Sequence, residues 1–377
     1  MHLYSLGQNP TFGNSFKTFM SLDFYKKDTK SALEAKEYAQ WIAFGPSVFQ
    51  AARILRSSGI LSEIEKTGKA GLTLDEVVAK VDMPLYGVRV LLEAGLGIGL
   101  VLLNEGKFSL TKTAFFLLHD RMTQANMDFS HEVNYLGMFD LDKSIQNGRP
   151  EGLKTLGNWP TVYEGLAHLP KDIQDAWFAF DHFYSDTAFP EVLPLVFKYK
   201  PKHMADIGGN TGKWTIAATG YDPDVNITII DLPGQLNMSK ANITKLGLAN
   251  RVNFHEMNIL DESQIIPKGF DAIWMSQFLD CFSEAEIISI LKRCYEALNE
   301  NGQVYILEPF WDRQRFASSA FCLQQTSLYF TAIANGNSQM YFSETFLKCI
   351  EKANFIPVEQ TDGIGVSHTL LVCKKKG

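Results

Sequence analysis

Hydrophobic and polar residues show two different patterns of spacing along the chain, and the pattern changes near residue 195. Before that point apolar residues recur at helical spacing, as in Val48, Ala52 and Leu55, and residues 120 to 200 are helical in pattern and rich in aromatics. After it, short apolar strands alternate with amphipathic helices. The predicted strands are His203 to Gly208, Asn226 to Asp231, Val252 to Asn258, Asp271 to Phe278 and Gln303 to Glu308. The helices between them are predicted at Thr211 to Thr219, Gly234 to Leu246 and Ser283 to Leu298.

The C-terminal half has the pattern of an α/β fold. Strands that alternate with helices at this spacing form right-handed βαβ units, and therefore a parallel sheet covered by helices on both faces. At the end of the chain, two further apolar segments, Phe355 to Thr361 and Ser367 to Cys373, flank a Gly-containing turn, which predicts an antiparallel hairpin. The expected fold is a doubly wound, mainly parallel, seven-stranded sheet of the Rossmann-like type.

The N-terminal half predicts a mostly helical, winged-helix-like module. The first forty residues are polar and weakly patterned, which favours an arm. Two short helices interrupted by Gly59 are expected between Trp41 and Ile64. Thr73 and Glu76 have capping-box spacing and a further helix starts near Pro84. Apolar segments on either side of a turn at residues 104 to 107 then predict a two-stranded wing.

Winged helices often bind DNA through their third helix, but the charges here argue against that role. The corresponding helix, Leu85 to Glu93, offers only Arg89 against Glu93, and residues 41 to 118 hold eight basic and seven acidic side chains. A DNA-binding domain has a basic surface, and the whole chain has a formal charge of −7. We therefore expect a packing or dimerisation module, and no nucleic-acid partner.

Length and composition support a folded protein of two main parts. The 377 residues are 46% hydrophobic and 20% charged, a globular mixture. Neither the N-terminus nor the longest apolar run, Ala94 to Leu103, predicts export or membrane insertion, and five cysteines without zinc-site spacing favour reduced thiols in the cytoplasm. The predicted divisions are an arm at 1–40, a winged-helix dimerisation module at 41–118, a helical substrate-lining region at 119–195 and a cofactor-binding domain at 196–377.

The strongest chemical signal is a Gly-rich turn, Asp206 to Gly212, between a predicted strand and helix. Glycines there let a ligand approach the backbone, and Asp231, 23 residues beyond Gly208, is placed to accept hydrogen bonds from ribose hydroxyls. The turn is not G-x-G-x-x-G, and Asp206 would repel a pyrophosphate, which disfavours an NAD-linked dehydrogenase. A carboxylate there suits S-adenosylmethionine, which carries an ammonium group and no phosphate.

Five short motifs follow the predicted strands and helices in order: Asp206 to Gly212, Ile230 to Pro233, Phe270 to Ile273, Phe282 to Glu284 and Gly302 to Pro309. In these motifs the chain resembles the class I S-adenosylmethionine-dependent methyltransferases. More narrowly, it is similar to the plant caffeate-type and bacterial small-molecule O-methyltransferases, over about residues 40 to 376. That resemblance implies a homodimer formed through the N-terminal winged-helix domain.

The resemblance also implies roles for individual residues, and the spacing of Cys and His predicts no metal site. The cofactor-binding positions would be Asp206, Gly208, Gly209, Gly212, Asp231, Leu232, Asn258, Ile259, Ser276 and Gln277. Positions expected to line the acceptor pocket are His182, Tyr184 and Ser185. Asn258 replaces the usual Asp and would still serve the adenine amino group through its amide oxygen. Ser276 and Gln277 replace a Lys-Trp pair found in plant members.

The catalytic positions depart from the family pattern. Asp280 stands where O-methylating members carry a His that removes the phenol proton. A glutamate that orients the His is kept as Glu308, whereas a second one is replaced by Met340. Asp280 and Glu308 are the candidate catalytic residues, because a carboxylate beside another carboxylate can have a raised pKa. The alternative is that Asp280 merely caps the following helix, although Ser283 is the better cap.

We therefore expect methyl transfer to a small, flat phenolic or polyketide-like acceptor, with O-methylation as the leading reaction. The aromatic-rich helices at 130–190 and 313–334 suit such an acceptor. Loss of the His leaves open methylation of a phenolic ring carbon, and also a non-catalytic cofactor-binding sensor or subunit. His131 and His368 have no sequence partners and are expected to be structural or solvent-facing.

Overall fold

A computed structural model describes residues 21–377, which fold into two compact units. The sheet unit comprises residues 187–330 and 337–377, together with the described residues up to Lys26. The helical unit comprises residues 27–186 and 331–336. This division places residues 187–195 with the sheet, whereas the sequence prediction put the boundary near residue 195. Within the described residues, no helix combines the length and apolar character needed to span a bilayer.

The helical unit contains ten α-helices and a two-stranded wing among its described residues. The helices are α1 (Ala32–Ala43), α2 (Gly45–Ser57), α3 (Ile60–Glu65), α4 (Leu74–Val78), α5 (Leu85–Gly97), α6 (Lys112–His119), α7 (Arg121–Phe129), α8 (Leu141–Asn147), α9 (Val162–Gly165) and α10 (Lys171–Asp186). The antiparallel wing consists of β1 (Val101–Asn104) and β2 (Lys107–Leu110). From α2 to β2, the order of helices and wing is the one that the hydrophobic pattern predicts.

Local signals explain several helix ends in this unit. Thr73 and Glu76 form the predicted capping box at the start of α4. Gly59 adopts a φ of +82° and separates α2 from α3, as its position predicts. Helix α1 lies where the sequence predicted part of an arm. The side chain of Ser31 accepts from the Glu34 amide and Glu34 reciprocates, so a capping box starts this helix before residue 40. The rest of the predicted arm, residues 1–20, lies outside the described residues.

The sheet unit is built on seven strands, which confirms the predicted fold class. They are β3 (His203–Ile207), β4 (Asn226–Asp231), β5 (Val252–Glu256), β6 (Phe270–Ser276), β7 (Leu298–Pro309), β8 (Phe355–Ile364) and β9 (His368–Lys375). Their order is β5-β4-β3-β6-β7-β9-β8. Strands β3 to β7 run parallel, and β9 is antiparallel to both β7 and β8.

Six helices accompany these strands: α11 (Phe189–Phe197), α12 (Lys213–Tyr221), α13 (Pro233–Lys245), α14 (Glu284–Ala297), α15 (Ala317–Tyr329) and α16 (Ser343–Lys352). Two elements, α12 and β6, differ by two residues from their predicted ends because the backbone is left-handed there. Helix α12 begins two residues later than expected because Gly212 takes a left-handed φ of +82°. Strand β6 ends at Ser276, rather than Phe278, because Gln277 has a φ of +46°.

Two hydrophobic clusters cover the opposite faces of the sheet. On one face, Trp214 of α12 stacks on Trp274 of β6 with ring centroids 3.7 Å apart, beside Leu307 and Leu370. On the other, Ile306 and Met275 pack with α14 and α16. This burial fixes the sheet register, because a shift of one residue would turn every apolar side chain to the wrong face. The register in turn fixes which residues meet at the carboxyl ends of the parallel strands.

Candidate functional site

The candidate site is the carboxyl edge of the sheet, meaning the loops that follow β3, β4, β5, β6 and β7. Ligands of open α/β sheets bind at this edge. The Gly-rich loop after β3 leaves no space for side chains. A Cβ on Gly208 would lie 2.1 Å from the Phe278 ring, and one on Gly209 would lie 2.8 Å from Asp206 Oδ2. Gly208 also has a φ of +73°. The loop is therefore a backbone cradle that glycine alone fits.

Asp206 lies beneath this cradle rather than on its surface. Its carboxylate is buried, and Oδ2 accepts a 2.6 Å hydrogen bond from Thr215 Oγ1 on α12. Burial raises the pKa of Asp206 to about 7, and the nearby Asp231 adds to the shift. The side chain thus ties the end of β3 to the first turn of α12. This partner, nine residues away, was not expected from the sequence.

Asp231 ends β4 beside the cradle, as predicted. Its two carboxylate oxygens accept from the backbone amides of Asn210 and Leu232, at 2.8 and 2.7 Å. Burial raises the pKa of Asp231 to about 6. A carboxylate has about four acceptor positions, so Asp231 can accept further hydrogen bonds from ligand hydroxyls. Asn210 itself has a left-handed φ of +49°, which turns its amide toward Asp231.

The loop after β5 holds Asn258 and Ile259. Asn258 is exposed and its Oδ1 accepts from the Leu260 amide at 3.0 Å, which forms a local turn. The oxygen that was predicted to serve an adenine amino group is therefore already bonded within the loop, with one acceptor position left. Ile259 is buried. The sequence placed both residues correctly at the carboxyl edge, but not this turn.

The turn after β6 lies between the part of the edge formed by β3 and β4 and the part formed by β7 and β9. The backbone amide of Gln277 donates to Leu307 O at 2.9 Å, and Gln277 Oε1 lies 2.7 Å from Nε2 of His368 at the start of β9. Ser276 Oγ is buried without a hydrogen-bond partner among the described residues. His368 is fully buried, so it is not solvent-facing. Sequence reasoning missed the contact because 91 residues separate its partners.

Asp280 and Glu308 form a buried carboxylate pair on the far side of this turn. Glu308 Oε1 accepts from the amides of Phe278 and Leu279, at 3.0 and 2.8 Å, whereas Oε2 is buried without a partner among the described residues. Asp280 is only 3% exposed and lies in a single 3-10 turn. Burial, and then repulsion from Asp280, raise the pKa of Glu308 well above its ordinary value. A carboxylate with a raised pKa is a stronger proton acceptor.

The structure excludes the capping role for Asp280. Ser283 is the N-cap of α14, where its side chain accepts from the Glu286 amide, and Glu286 completes a capping box. Asp280 precedes this cap by three residues. Its Oδ1 lies 3.4 Å from Cys281 Sγ. The sequence was right that Ser283 is the better cap, and the burial of Asp280 calls for another explanation.

The three predicted pocket-lining residues lie on α10 in the helical unit. His182 stacks on Phe178, and its Nδ1 lies 3.7 Å from Asp181 Oδ2 and 3.8 Å from Asp186 Oδ1. Tyr184 is buried and donates to Asn126 Oδ1 at 2.9 Å, while Ser185 Oγ lies 3.4 Å from Asp186 Oδ1. Their contribution to an acceptor pocket stays a prediction.

The described residues contain neither a cluster of metal ligands nor a disulfide. No group of three or more His, Cys, Asp or Glu side chains there could hold a metal ion. The cysteines Cys281, Cys294, Cys322, Cys349 and Cys373 are all free thiols. The chemical groups described at the carboxyl edge are backbone amides, the carboxylates of Asp206 and Asp231, and the pair formed by Asp280 and Glu308.

Comparison with known proteins agrees with this geometry. A family model described as a Dimerisation2-like domain matches residues 36–108, and one described as an O-methyltransferase domain matches residues 191–355. This chain belongs to the S-adenosylmethionine-dependent O-methyltransferase family. The L-tyrosine C(3)-methyltransferase of Streptomyces lavendulae is 23% identical over 94% of this methyltransferase and 92% of its own length.

Solved structures of the same fold cover nearly all of the chain. The mitomycin 7-O-methyltransferase has a TM-score of 0.68 at 16% identity, covering 90% of this chain and 98% of that one. Human N-acetylserotonin methyltransferase, solved with S-adenosylmethionine, has a TM-score of 0.65 at 17% identity, covering 93% and 100%. At such identities these likenesses establish the fold alone.

The residues at the edge of β3 and β4 fit the cofactor of this family. Side chains at Gly208 and Gly209 would clash with Phe278 and Asp206, and the buried Thr211 Oγ1 and Ser276 Oγ have no partner among the described residues. The carboxylates of Asp206 and Asp231, and the absence of lysine or arginine from residues 206–212, suit a cationic ligand without phosphate. S-adenosylmethionine is such a ligand, and it is the cofactor of this methyltransferase.

Proposed function

We propose that this enzyme methylates a phenolic oxygen of a small, flat aromatic acceptor, with Asp280 and Glu308 together as the proton acceptor. The observation that carries the proposal is the buried carboxylate pair at the position where the family places its base. Glu308 is 1% exposed and its carboxylate faces backbone amides and Asp280, with no cation among its bonded partners. A structural glutamate would normally be paired or exposed.

The proposal assigns cofactor contacts to the edge of β3 and β4. Gly208, Gly209 and Gly212 let the ligand approach the backbone, and Asp206 supports this loop from below. Asp231 accepts from the ribose hydroxyls. The remaining contacts are assigned to Leu232, Asn258, Ile259, Ser276 and Gln277. S-adenosylmethionine supplies an electrophilic methyl group on a sulfonium, so the protein mainly has to align the acceptor and exclude water.

Proton transfer is the step that the carboxylate pair serves. A free phenol has a pKa near ~10, and an ordinary carboxylate near ~4 is a weak base toward it. The raised pKa of Glu308 narrows that gap. In the reaction an O–CH₃ bond forms and the S–CH₃ bond breaks, with its electron pair left on sulfur. The phenol proton passes to the carboxylate pair.

Methylation of a ring carbon is the second candidate. The observation that favours it is that the relative matching over nearly its full length is named a tyrosine C(3)-methyltransferase. A phenolate directs its electrons to the ortho carbon, where a C–CH₃ bond would form. The ring carbon then loses its proton to water, the ring becomes aromatic again, and the phenolate oxygen takes back the proton held by the carboxylate pair. The same carboxylate pair could take the phenol proton in either reaction.

Product analysis separates the two reactions. The full-length protein is incubated with methyl-labelled S-adenosylmethionine and a panel of phenols that includes tyrosine, hydroxynaphthoates and catechols. Mass spectrometry detects the added methyl, and NMR places it on oxygen or carbon. A methyl on oxygen supports the first candidate and a methyl on carbon supports the second. Calorimetric binding of S-adenosylhomocysteine without turnover of any phenol would favour a cofactor-binding sensor.

We also propose that the enzyme is a homodimer formed through the helical unit. Helix α1 has no buried residue, and Leu33, Trp41 and Ile42 on it are exposed to 65%, 45% and 65%. A second copy of the chain is the occupant that the dimerisation-domain match favours. Light scattering should report a dimer for the wild type and a monomer for Trp41→Glu/Ile42→Glu. A dimer in both would contradict this interface.

A further inference from the structure

His368 is the buried titratable group that the proposed reaction does not use. Among the described histidines it alone is fully buried. It begins β9, where it pairs with Pro309, the residue after Glu308. By strand alternation its side chain lies on the same face of the sheet as Leu370 and Val372. An apolar side chain would fill this buried position without needing a hydrogen-bond partner. The presence of an imidazole there therefore requires an explanation.

The imidazole has a defined hydrogen bond and a defined tautomer. Its Nε2 lies 2.7 Å from Gln277 Oε1. Because an amide oxygen can only accept, Nε2 carries the hydrogen and donates it. Burial lowers the pKa of His368 to about 4, so the ring is neutral at physiological pH and Nδ1 carries no proton. Nδ1 is buried and makes no hydrogen bond to any described residue.

Gln277 is held from two directions in an unfavourable backbone conformation. Its φ of +46° is rare for a residue with a Cβ. Its backbone amide is fixed by Leu307 O and its side-chain oxygen by His368. A strained residue of this kind is retained only where several contacts hold it in place, and such residues cluster at functional sites. The strain is present in the turn that joins β6 to the carboxylate pair.

The same turn connects both halves of the carboxyl edge. The next residue, Phe278, packs its ring against Gly208 of the cofactor cradle and donates its amide to Glu308. A change in the Gln277 conformation would therefore move a wall of the cradle and a donor to Glu308 together. With its oxygen engaged by His368, the Gln277 amide presents N–H donors to its other neighbours.

We propose that His368 is a positioning residue for the cofactor, which acts by fixing the Gln277 side chain so that its amide donates to an acceptor atom of S-adenosylmethionine. This inference rests on the proposed function, because it assumes that the carboxyl edge binds that cofactor. A histidine that merely filled the core would have no such effect on binding.

The test compares two replacements of His368 in the full-length protein by calorimetric titration with S-adenosylhomocysteine. His368→Leu removes the donor, whereas His368→Gln keeps a side-chain N–H at the distance of Nε2 that can donate to Gln277. We expect about tenfold weaker binding for His368→Leu, which is about 1.4 kcal/mol, and less than threefold for His368→Gln. Equal affinity in His368→Leu and wild type, or equal losses in both variants, would overturn the proposal.

A double-mutant comparison extends the test, and NMR of the wild type keeps it valid even if His368→Leu folds poorly. Once Gln277→Leu has removed the partner, adding His368→Leu should cause no further loss of affinity. Additive losses would overturn the proposal. In ¹⁵N-histidine spectra of the wild type, His368 should show the Nε2–H tautomer, and its signal should shift on ligand binding. A wild type that binds no S-adenosylhomocysteine would overturn the proposed function itself, which distinguishes the two failures.

Discussion

The carboxyl edge has two halves, one at β3 and β4 and the other at β6, β7 and β9. They differ in the sequence separation of the residues that contact one another. The half at β3 and β4 is local, because the two backbone amides that donate to Asp231 belong to residues 21 positions and one position away. The half at β6, β7 and β9 is assembled from distant segments, with 30 residues between Phe278 and Glu308 and 91 between Gln277 and His368. The local half carries the family's cofactor pattern, and the distant half is where this chain departs from it.

The two halves also use buried carboxylates differently. Asp231 accepts two backbone amides and is only partly enclosed, which leaves it open to ligand hydroxyls. Glu308 is enclosed, bonds through one oxygen and faces the negative charge of Asp280. The first arrangement suits ligand binding and the second suits holding a proton. The comparison therefore predicts that binding and turnover can be impaired separately.

The largest expected effect is on turnover and comes from Glu308→Gln. Glutamine can still accept from the Phe278 and Leu279 amides, but it cannot take a proton. General bases contribute about 10²- to 10⁴-fold, so kcat should fall by that amount while the Kd of S-adenosylhomocysteine changes less than about threefold. Glu308 must be deprotonated to act, so wild-type kcat should rise with pH through the raised pKa of Glu308. Glu296→Gln, on the exposed face of α14, is the matched control, and equal kcat in the two variants would contradict the assignment.

A smaller effect, on binding, is expected from Asp231→Asn. The change removes the charge and one acceptor, and hydrogen bonds to charged groups contribute about 1.5–3 kcal/mol each. The Kd of S-adenosylhomocysteine should rise about 10- to 100-fold by calorimetry. Asp224→Asn, at an exposed aspartate paired with Lys202, is the control and should bind normally. An unchanged affinity in Asp231→Asn would remove the ribose contact from the proposal.

Gly208→Ala tests the cradle itself. The new Cβ would lie 2.1 Å from the Phe278 ring at a φ of +73°, so the loop must move. Left-handed backbone costs a residue with a Cβ about 1–3 kcal/mol, which should lower the free energy of unfolding by that amount and weaken ligand binding. Gly220→Ala, where a Cβ meets nothing within 4 Å, is the matched control on α12. Denaturant unfolding of both variants checks the difference, and equal stabilities would contradict the cradle.

The smallest effect is on the pH dependence of stability. The pKa of Asp206 is about 7 in the folded protein against an ordinary 3.8, so the folded state binds this proton more tightly than the unfolded state. Its contribution to stability is complete below pH 4 and is lost as pH rises through 7. Between pH 6 and pH 7 the loss should be about 1 kcal/mol. Asp206→Asn should lack this decline, and parallel profiles for the two proteins would contradict the buried carboxylate.

Much of the fold followed from local patterns in the sequence. Strand β4 runs from Asn226 to Asp231 as predicted, and the capping boxes at Thr73 and Ser283 start helices where the spacing indicated. These features depend on neighbours a few residues away. The early start of α1 was missed, although Ser31 and Glu34 have the same capping spacing.

Residue spacing alone indicated only the local half of the candidate site. The cradle and Asp231 were identified from spacing, and Asp280 and Glu308 from a resemblance. The bond between Gln277 and His368 depends on the antiparallel placement of β9 beside β7, which sequence spacing does not specify. The left-handed turn at Gln277 was equally hidden, because non-glycine residues rarely adopt it.

The most direct test of the carboxylate pair is a crystal structure of the enzyme with S-adenosylhomocysteine bound. The account predicts that the ligand occupies the cradle, that its ribose bonds Asp231, and that the carboxyl groups of Asp280 and Glu308 line the cavity facing the sulfur. A structure in which Asp280 points away from that cavity, with another side chain facing the sulfur, would contradict the central claim.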